Sequence, residues 1–144
     1  MPTTGYDENN IFAKILRGEI PCYKVYEDDA TLAFMDLMPQ SDGHVLVLPK
    51  SPSRNLLDAD PRVLAPLIAR VQMIARAVKE AMAAEGITIV QYNGDAAGQT
   101  VFHLHFHIIP RWSNVAVRAH GRGQEKAEVL EGFRQKIADA IKPG

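Results

Sequence analysis

Three histidines alternate with apolar residues in the run His103-Leu104-His105-Phe106-His107. Successive side chains of an extended chain point to opposite sides, so this spacing predicts three imidazoles on one face and Leu104, Phe106 and Ile108 on the other. Imidazoles gain little from apolar burial, and three of the chain's five histidines fall in this run, so packing explains the cluster poorly. Two chemistries use such a set. Histidines at alternating strand positions can present ring nitrogens to zinc. Alternatively, one imidazole, neutral near physiological pH, can attack phosphorus while its neighbours orient it and meet the developing charge. A catalytic zinc often draws a further ligand from elsewhere, and the chain offers no other His, Cys or Asp/Glu group at a recognisable ligand spacing. The residues therefore favour phosphoryl or nucleotidyl transfer over a metal site.

The elements that must hold these rings follow from pattern. Residues 1 to 8 read as a loose tail. Ile11, Phe12, Ile15 and Leu16 fall at helical spacing before Gly18, which predicts a short amphipathic helix. Tyr23 to Tyr26 and Thr31 to Met35 read as a hairpin joined by Glu27-Asp28-Asp29, and His44 to Leu48, closed by Pro49, as a central strand. A long helix is expected from Asp60 to Ala84, with Asp60 as cap, Pro61 at its first position, Pro66 either kinking it or delaying its start, and a stripe of Leu64, Leu67, Ile68, Val71, Ile74, Val78 and Met82. Strands are expected over Ile87 to Tyr92 and Val101 to Ile109. A last helix, about Gln124 to Ile141, would turn Ala127, Leu130, Phe133, Ile137 and Ile141 to one side. This order implies one α+β domain over 1–144, with helices on an antiparallel sheet of about five strands and an extension over 112–144.

The 144 residues suit one domain with a sizeable core. Sixteen basic residues against 17 acidic ones leave a formal net charge of -1, which argues against a general nucleic-acid binder. Any anionic ligand must then be met by local donors. The single cysteine, Cys22, has no disulfide partner within the chain and reads as a small packing residue in a reducing, cytoplasmic setting. The polar, acidic N-terminus has neither the basic start nor the apolar stretch of a signal peptide, and no segment is long enough to span a membrane.

Residues 98 to 111, Gly98-Gln99-Thr100-Val101-Phe102-His103-Leu104-His105-Phe106-His107-Ile108-Ile109-Pro110-Arg111, resemble the signature of the histidine triad (HIT) superfamily. The likeness to its Hint-like branch extends through Ile11-Phe12-Ala13-Lys14-Ile15, Ile20-Pro21, Glu27-Asp28, Ala33-Phe34-Met35-Asp36 and Gly43-His44-Val45-Leu46-Val47-Leu48-Pro49-Lys50, covering roughly residues 9 to 112. The resemblance implies a HIT-like fold and a hydrolase that needs no cofactor. In it His105 is the nucleophile, forming a nucleotidyl-imidazole that water then hydrolyses. His107 would donate to a non-bridging phosphate oxygen, His103 would buttress the nucleophile through a hydrogen bond, and His44 would assist proton transfer. Gln99 and Thr100 would reach the phosphate and leaving group.

Asn93 would bond the phosphate or ribose edge, unless it is a plain turn residue. Asp36 would accept from the ribose hydroxyls, or else start a turn before Pro39. Ile11, Phe12, Phe34 and Leu37 would wall a slot for the base, although each could equally be core. Some members bind zinc through N-terminal cysteines; Asn10 and Ala13 stand in those places here, so no metal is expected. Arg118, His120 and Arg122 form a small basic group that could meet phosphate or simply lie in a solvated loop. The implied activity is hydrolysis of a purine nucleoside phosphoramidate, with dinucleoside polyphosphate hydrolysis or a nucleotide-binding scaffold as alternatives. A homodimer is implied as well, with the long helix and the strand from Ile87 as candidate contacts.

Overall fold

The computed structural model describes residues 5–119 and 123–142. Five strands, β1 (Lys24–Glu27), β2 (Thr31–Met35), β3 (Val45–Pro49), β4 (Gly86–Val90) and β5 (Phe106–Arg111), form one sheet in the order β1-β2-β3-β5-β4. Every neighbouring pair is antiparallel, so the α+β expectation holds. The helices are α1 (Ile11–Leu16), α2 (Pro61–Ala81) and α3 (Ala127–Ala140).

The β1–β2 turn is closed by Asp28, whose Oδ1 accepts from the Ala30 and Thr31 amides while Oδ2 accepts from the Tyr26 hydroxyl and Arg70 Nε. Residues of β2 and β3 are buried without alternation because both faces of the sheet are covered. On one face Ala33, Met35, Val45, Val47 and Ile108 pack against Leu67, Val71, Ile74 and Val78 of α2 and Leu130 and Ile137 of α3. Each such aliphatic side chain contributes about 1.5–3 kcal/mol on burial, so this layer holds most of the stability. On the other face Leu32, Phe34, Leu46 and Leu48 pack with Phe12 of α1.

Asp60 caps α2 by accepting from the Arg62 amide, with Pro61 in the first turn as expected. Pro66 lies inside the helix and neither delays its start nor ends it. Its missing N–H falls opposite the carbonyl of Arg62, an exposed position where water can substitute. The apolar stripe predicts the buried face with one exception, Ile68, which is 52% exposed. α3 turns Leu130 and Ile137 into the core, with Phe133 and Ile141 packed against it. Among the described residues, no helix is long and apolar enough to cross a membrane.

Candidate active site

β5 is shorter at its start than the pattern predicts. The ladder with β3 stops at Val47–Phe106, and only His107 of the three histidines lies in it, opposite Leu46 on one side and Val90 on the other. β3 ends in Pro49, which has no N–H to extend the ladder. The Leu104 amide donates instead to Ser53 O at 2.9 Å. Alternation nevertheless persists through the unpaired stretch: Leu104 and Ile108 enter the core beneath α2, while His105 and His107 line a cleft on the opposite face.

The hydrogen bonds of the rings fix their tautomers. Nδ1 of His105 lies 2.7 Å from the His103 carbonyl. A carbonyl can only accept, so Nδ1 carries the proton and Nε2 holds the lone pair, as a nucleophile requires. The buttress is therefore the backbone of His103, not its ring. That ring is completely buried, with Nε2 2.7 Å from Pro49 O and Nδ1 2.6 Å from the Tyr6 hydroxyl. Burial pushes its pKa down against the opposing pull of the Pro49 carbonyl, so it is held neutral. Tyr6 lies in the stretch expected to be a loose tail; within that stretch residues 1–4 lie outside the described residues, whereas Tyr6 and Asp7 are hydrogen bonded.

A second chain runs through His44, also completely buried. The Gln40 amide donates to His44 Nδ1 at 3.0 Å, so the proton of His44 is on Nε2, which lies 2.9 Å from His107 Nδ1. His44 therefore donates to His107, and His107 carries its own proton on Nε2. Asp36 Oδ2 is 3.5 Å from His44 Nε2. This is not an ion pair, because an imidazolium would need a proton on Nδ1, where the Gln40 N–H points. The same logic bears on metal binding. Asp36, His44 and His107 bring ligand atoms within 4.8 Å of one another, the reach of a two-histidine, one-carboxylate site. A metal on His44 Nε2 would leave that ring with no proton at all, since Nδ1 is already an acceptor, whereas a ligating histidine normally donates through its second nitrogen. The set is suited to passing hydrogen-bond polarity and poorly suited to a cation.

His105 stands between two cavities. The larger, of about 180 Å³, is lined by Ile11, Phe12, Phe34 and Leu37, by Asp36, and also by Ile15, Cys22, Leu46 and Val101. The Phe12 ring meets His105 edge-on, their centroids 4.8 Å apart, and Phe34 edge-on at 5.4 Å. Cys22 is more than packing, since it forms part of this wall, half-buried and with its thiol pKa raised by that burial. The smaller cavity, of about 150 Å³, is lined by Gln40, Tyr92, Gly98 and Thr100. Thr100, His105 and His107 line both. Asp36 keeps one oxygen on the Met38 amide at 2.8 Å. The roles of Tyr6, Gln40 and Tyr92 carried no motif signal.

Two predicted ligands are occupied elsewhere. Gln99 donates to Arg54 O and Val101 O and accepts from Gly94 N and Asn55 Nδ2, which uses its whole carboxamide to fold the loop before the histidines. Asn93 Oδ1 accepts from the Leu56 amide and from Gln91, its Nδ2 donates back to Gln91, and it lines neither cavity. Both are staples of the site's frame. Arg118 pairs with Asp42, and its amide donates to Gln40 O; His120 and Arg122 lie outside the described residues.

Residues 17–114 match the family described as HIT domain. Adenylylsulfatase HINT3 of Arabidopsis thaliana is 39% identical over 122 residues, 81% of this chain and 62% of the plant protein, so the chain spans about three fifths of that relative. Protein hit of Bacillus subtilis is 43% identical over 138 residues, covering 93% of this chain and 95% of its own. A crystal structure of a Hit-like protein involved in cell-cycle regulation from Bartonella henselae, with an unknown ligand, superposes at a TM-score of 0.89 and 54% identity over 95% of this chain and 100% of that one.

Proposed function

The chain belongs to the HIT domain family, and on that premise we propose that it hydrolyses a purine nucleoside phosphoramidate through a covalent nucleotidyl-His105 intermediate. The observation that carries this reading is the His105 ring itself, its proton held on Nδ1 by the His103 carbonyl and its cleft face open to cavities on two sides. Nε2 attacks phosphorus, the P–N bond breaks, and the leaving nitrogen takes up a proton. Water then attacks phosphorus, the P–Nε2 bond breaks, the proton that water sheds balances the one taken up by the leaving nitrogen, and the free ring returns. His107, with its proton fixed on Nε2 by the relay from Gln40 through His44, is set to donate to a non-bridging oxygen as charge grows there. The base would occupy the apolar cleft walled by Ile11, Phe12, Phe34 and Leu37, the ribose would meet the second oxygen of Asp36, and Thr100 would face the leaving group.

Among the described residues that line the two cavities there is no lysine or arginine. A polyphosphate tail brings several charges that such a lining leaves uncompensated, whereas an amine brings none. Amine leaving groups are favoured for that reason over a second nucleotide. The name of the plant relative, adenylylsulfatase, favours one other reading, an adenylyl group joined to sulfate. The protein would act in the cytoplasm as a homodimer using α2 and β4, where Ile68 and Ile89 are exposed. Turnover of adenosine phosphoramidate, adenylyl sulfate and a diadenosine polyphosphate side by side tests the assignment. The phosphoramidate should give the highest kcat/KM; preference for the polyphosphate, or AMP release from none of them, would overturn it.

A further inference from the structure

We infer that Tyr6 is a positioning residue for the nucleophile, acting through the ring and peptide of His103. Tyr6 precedes the residues that match the family, 17–114, yet its hydroxyl lies 2.6 Å from His103 Nδ1. The direction of that bond is settled on the far side of the ring. Pro49 O can only accept, so the His103 proton is on Nε2, and Nδ1 must accept from the Tyr6 O–H. The phenol is held in its donor form, since burial raises its pKa. The Tyr6 ring also meets the His103 ring edge-on, at a centroid distance of 5.7 Å.

His103 is thus gripped at both nitrogens, and its peptide is gripped as well. Its carbonyl accepts from His105 Nδ1 at 2.7 Å, while the amide of the same peptide unit, on Leu104, donates to Ser53 O at 2.9 Å. The orientation of that one carbonyl determines which His105 nitrogen is protonated. Val101 to His105 lies outside the β-ladder, so strand pairing does not hold the peptide, and the Leu104–Ser53 bond and the side-chain clamp take that part. Tyr6 is itself placed: the Asn10 amide donates to Asp7 O, Asn10 caps α1, and Arg17 Nη1 donates to Glu8 O at 2.7 Å. Without the hydroxyl, the buried lone pair of His103 Nδ1 loses its donor, and the ring, held only by its bond to Pro49 O, can turn about that bond and carry the His103 peptide with it.

The inference rests on the functional reading above, so its test reads the rings directly as well as the rate. Tyr6→Phe keeps the aromatic contact and removes only the hydroxyl. Long-range proton–nitrogen NMR of the ligand-free protein should show His103 as the Nε2–H tautomer and His105 as the Nδ1–H tautomer in the wild type. In Tyr6→Phe His103 should stay the Nε2–H tautomer with its Nδ1 resonance moved toward that of an acceptor without a donor, and the His105 assignment should become mixed. With adenosine phosphoramidate, kcat should fall about 5- to 10-fold, the equivalent of one buried hydrogen bond, with KM within about twofold. An unchanged His105 tautomer and unchanged kcat, whatever happens to the melting temperature, would overturn the inference and leave Tyr6 a packing residue. If the wild type turns over no such substrate, the functional reading fails alone, and the NMR comparison still decides the role of Tyr6.

Discussion

Replacing His44 by leucine tests the relay behind His107, and its cost follows from two bonds. The His44 ring is completely buried, accepts from the Gln40 amide at 3.0 Å and donates to His107 Nδ1 at 2.9 Å. Leucine has similar bulk, so the cavity term is small and the loss comes from the groups left behind. Each orphaned donor or acceptor costs about 1–3 kcal/mol, so His44→Leu, which orphans two, should lose roughly 2–6 kcal/mol. A chain of this length shifts its melting temperature by roughly 3–4 °C for each kcal/mol, which predicts a fall of about 6–24 °C by calorimetry. His44→Gln keeps an acceptor for the Gln40 amide and a donor for His107, and should recover more than half of the loss. The rate should follow the same order, since His107 can place its proton on either nitrogen once the relay is cut. Loss of less than about 1 kcal/mol in His44→Leu, or a glutamine variant no better than leucine, would refute the relay.

Gly43 enters β3 with φ of +91°, and a Cβ there would come within 2.7 Å of Met82 Cγ. Gly43→Ala should therefore cost about 1–3 kcal/mol in urea unfolding, from left-handed strain and displacement of that side chain, with an added loss of rate from displaced His44. At Asp28, burial raises the pKa, but hydrogen bonds from Tyr26, Ala30, Arg70 and Thr31 outweigh it and hold the pKa at about 2, against 3.8 for the unperturbed group. A depressed folded pKa means stability that is intact above the unfolded value and lost as pH falls toward 2. Asp28→Asn should cost about 1–2 kcal/mol at neutral pH, with the gap to wild type closing by pH 2 in acid unfolding curves.

Much of the fold is legible because the helices carry one apolar face and β2 and β3 read as nearly continuous apolar runs. The α2 stripe is buried at Leu67, Val71, Ile74 and Val78, and the histidines do alternate with core residues. What was not legible depends on partners distant in sequence. Gln99 and Asn93 carry the residue types of phosphate ligands, but besides local bonds to Gln91, Gly94 and Val101, groups at residues 54 to 56, some 40 positions away, take up the rest of their hydrogen bonding. Nothing local marks that. The early start expected for β5 failed because Pro49, on a different strand, sets where the ladder stops. Tyr6 sits in a polar stretch without periodicity, and only the folded chain brings it to His103. Ile68 falls on the helical stripe by spacing but is left uncovered by this chain.

The central claim is that His105 bonds to phosphorus. Intact-mass spectrometry of protein quenched shortly after mixing with adenosine phosphoramidate, with peptide mapping, tests it most directly. A species heavier by one adenylyl group, mapped to His105 and missing from His105→Ala, is the predicted result. An adduct on another residue, or turnover in His105→Ala at the wild-type rate, would contradict the account.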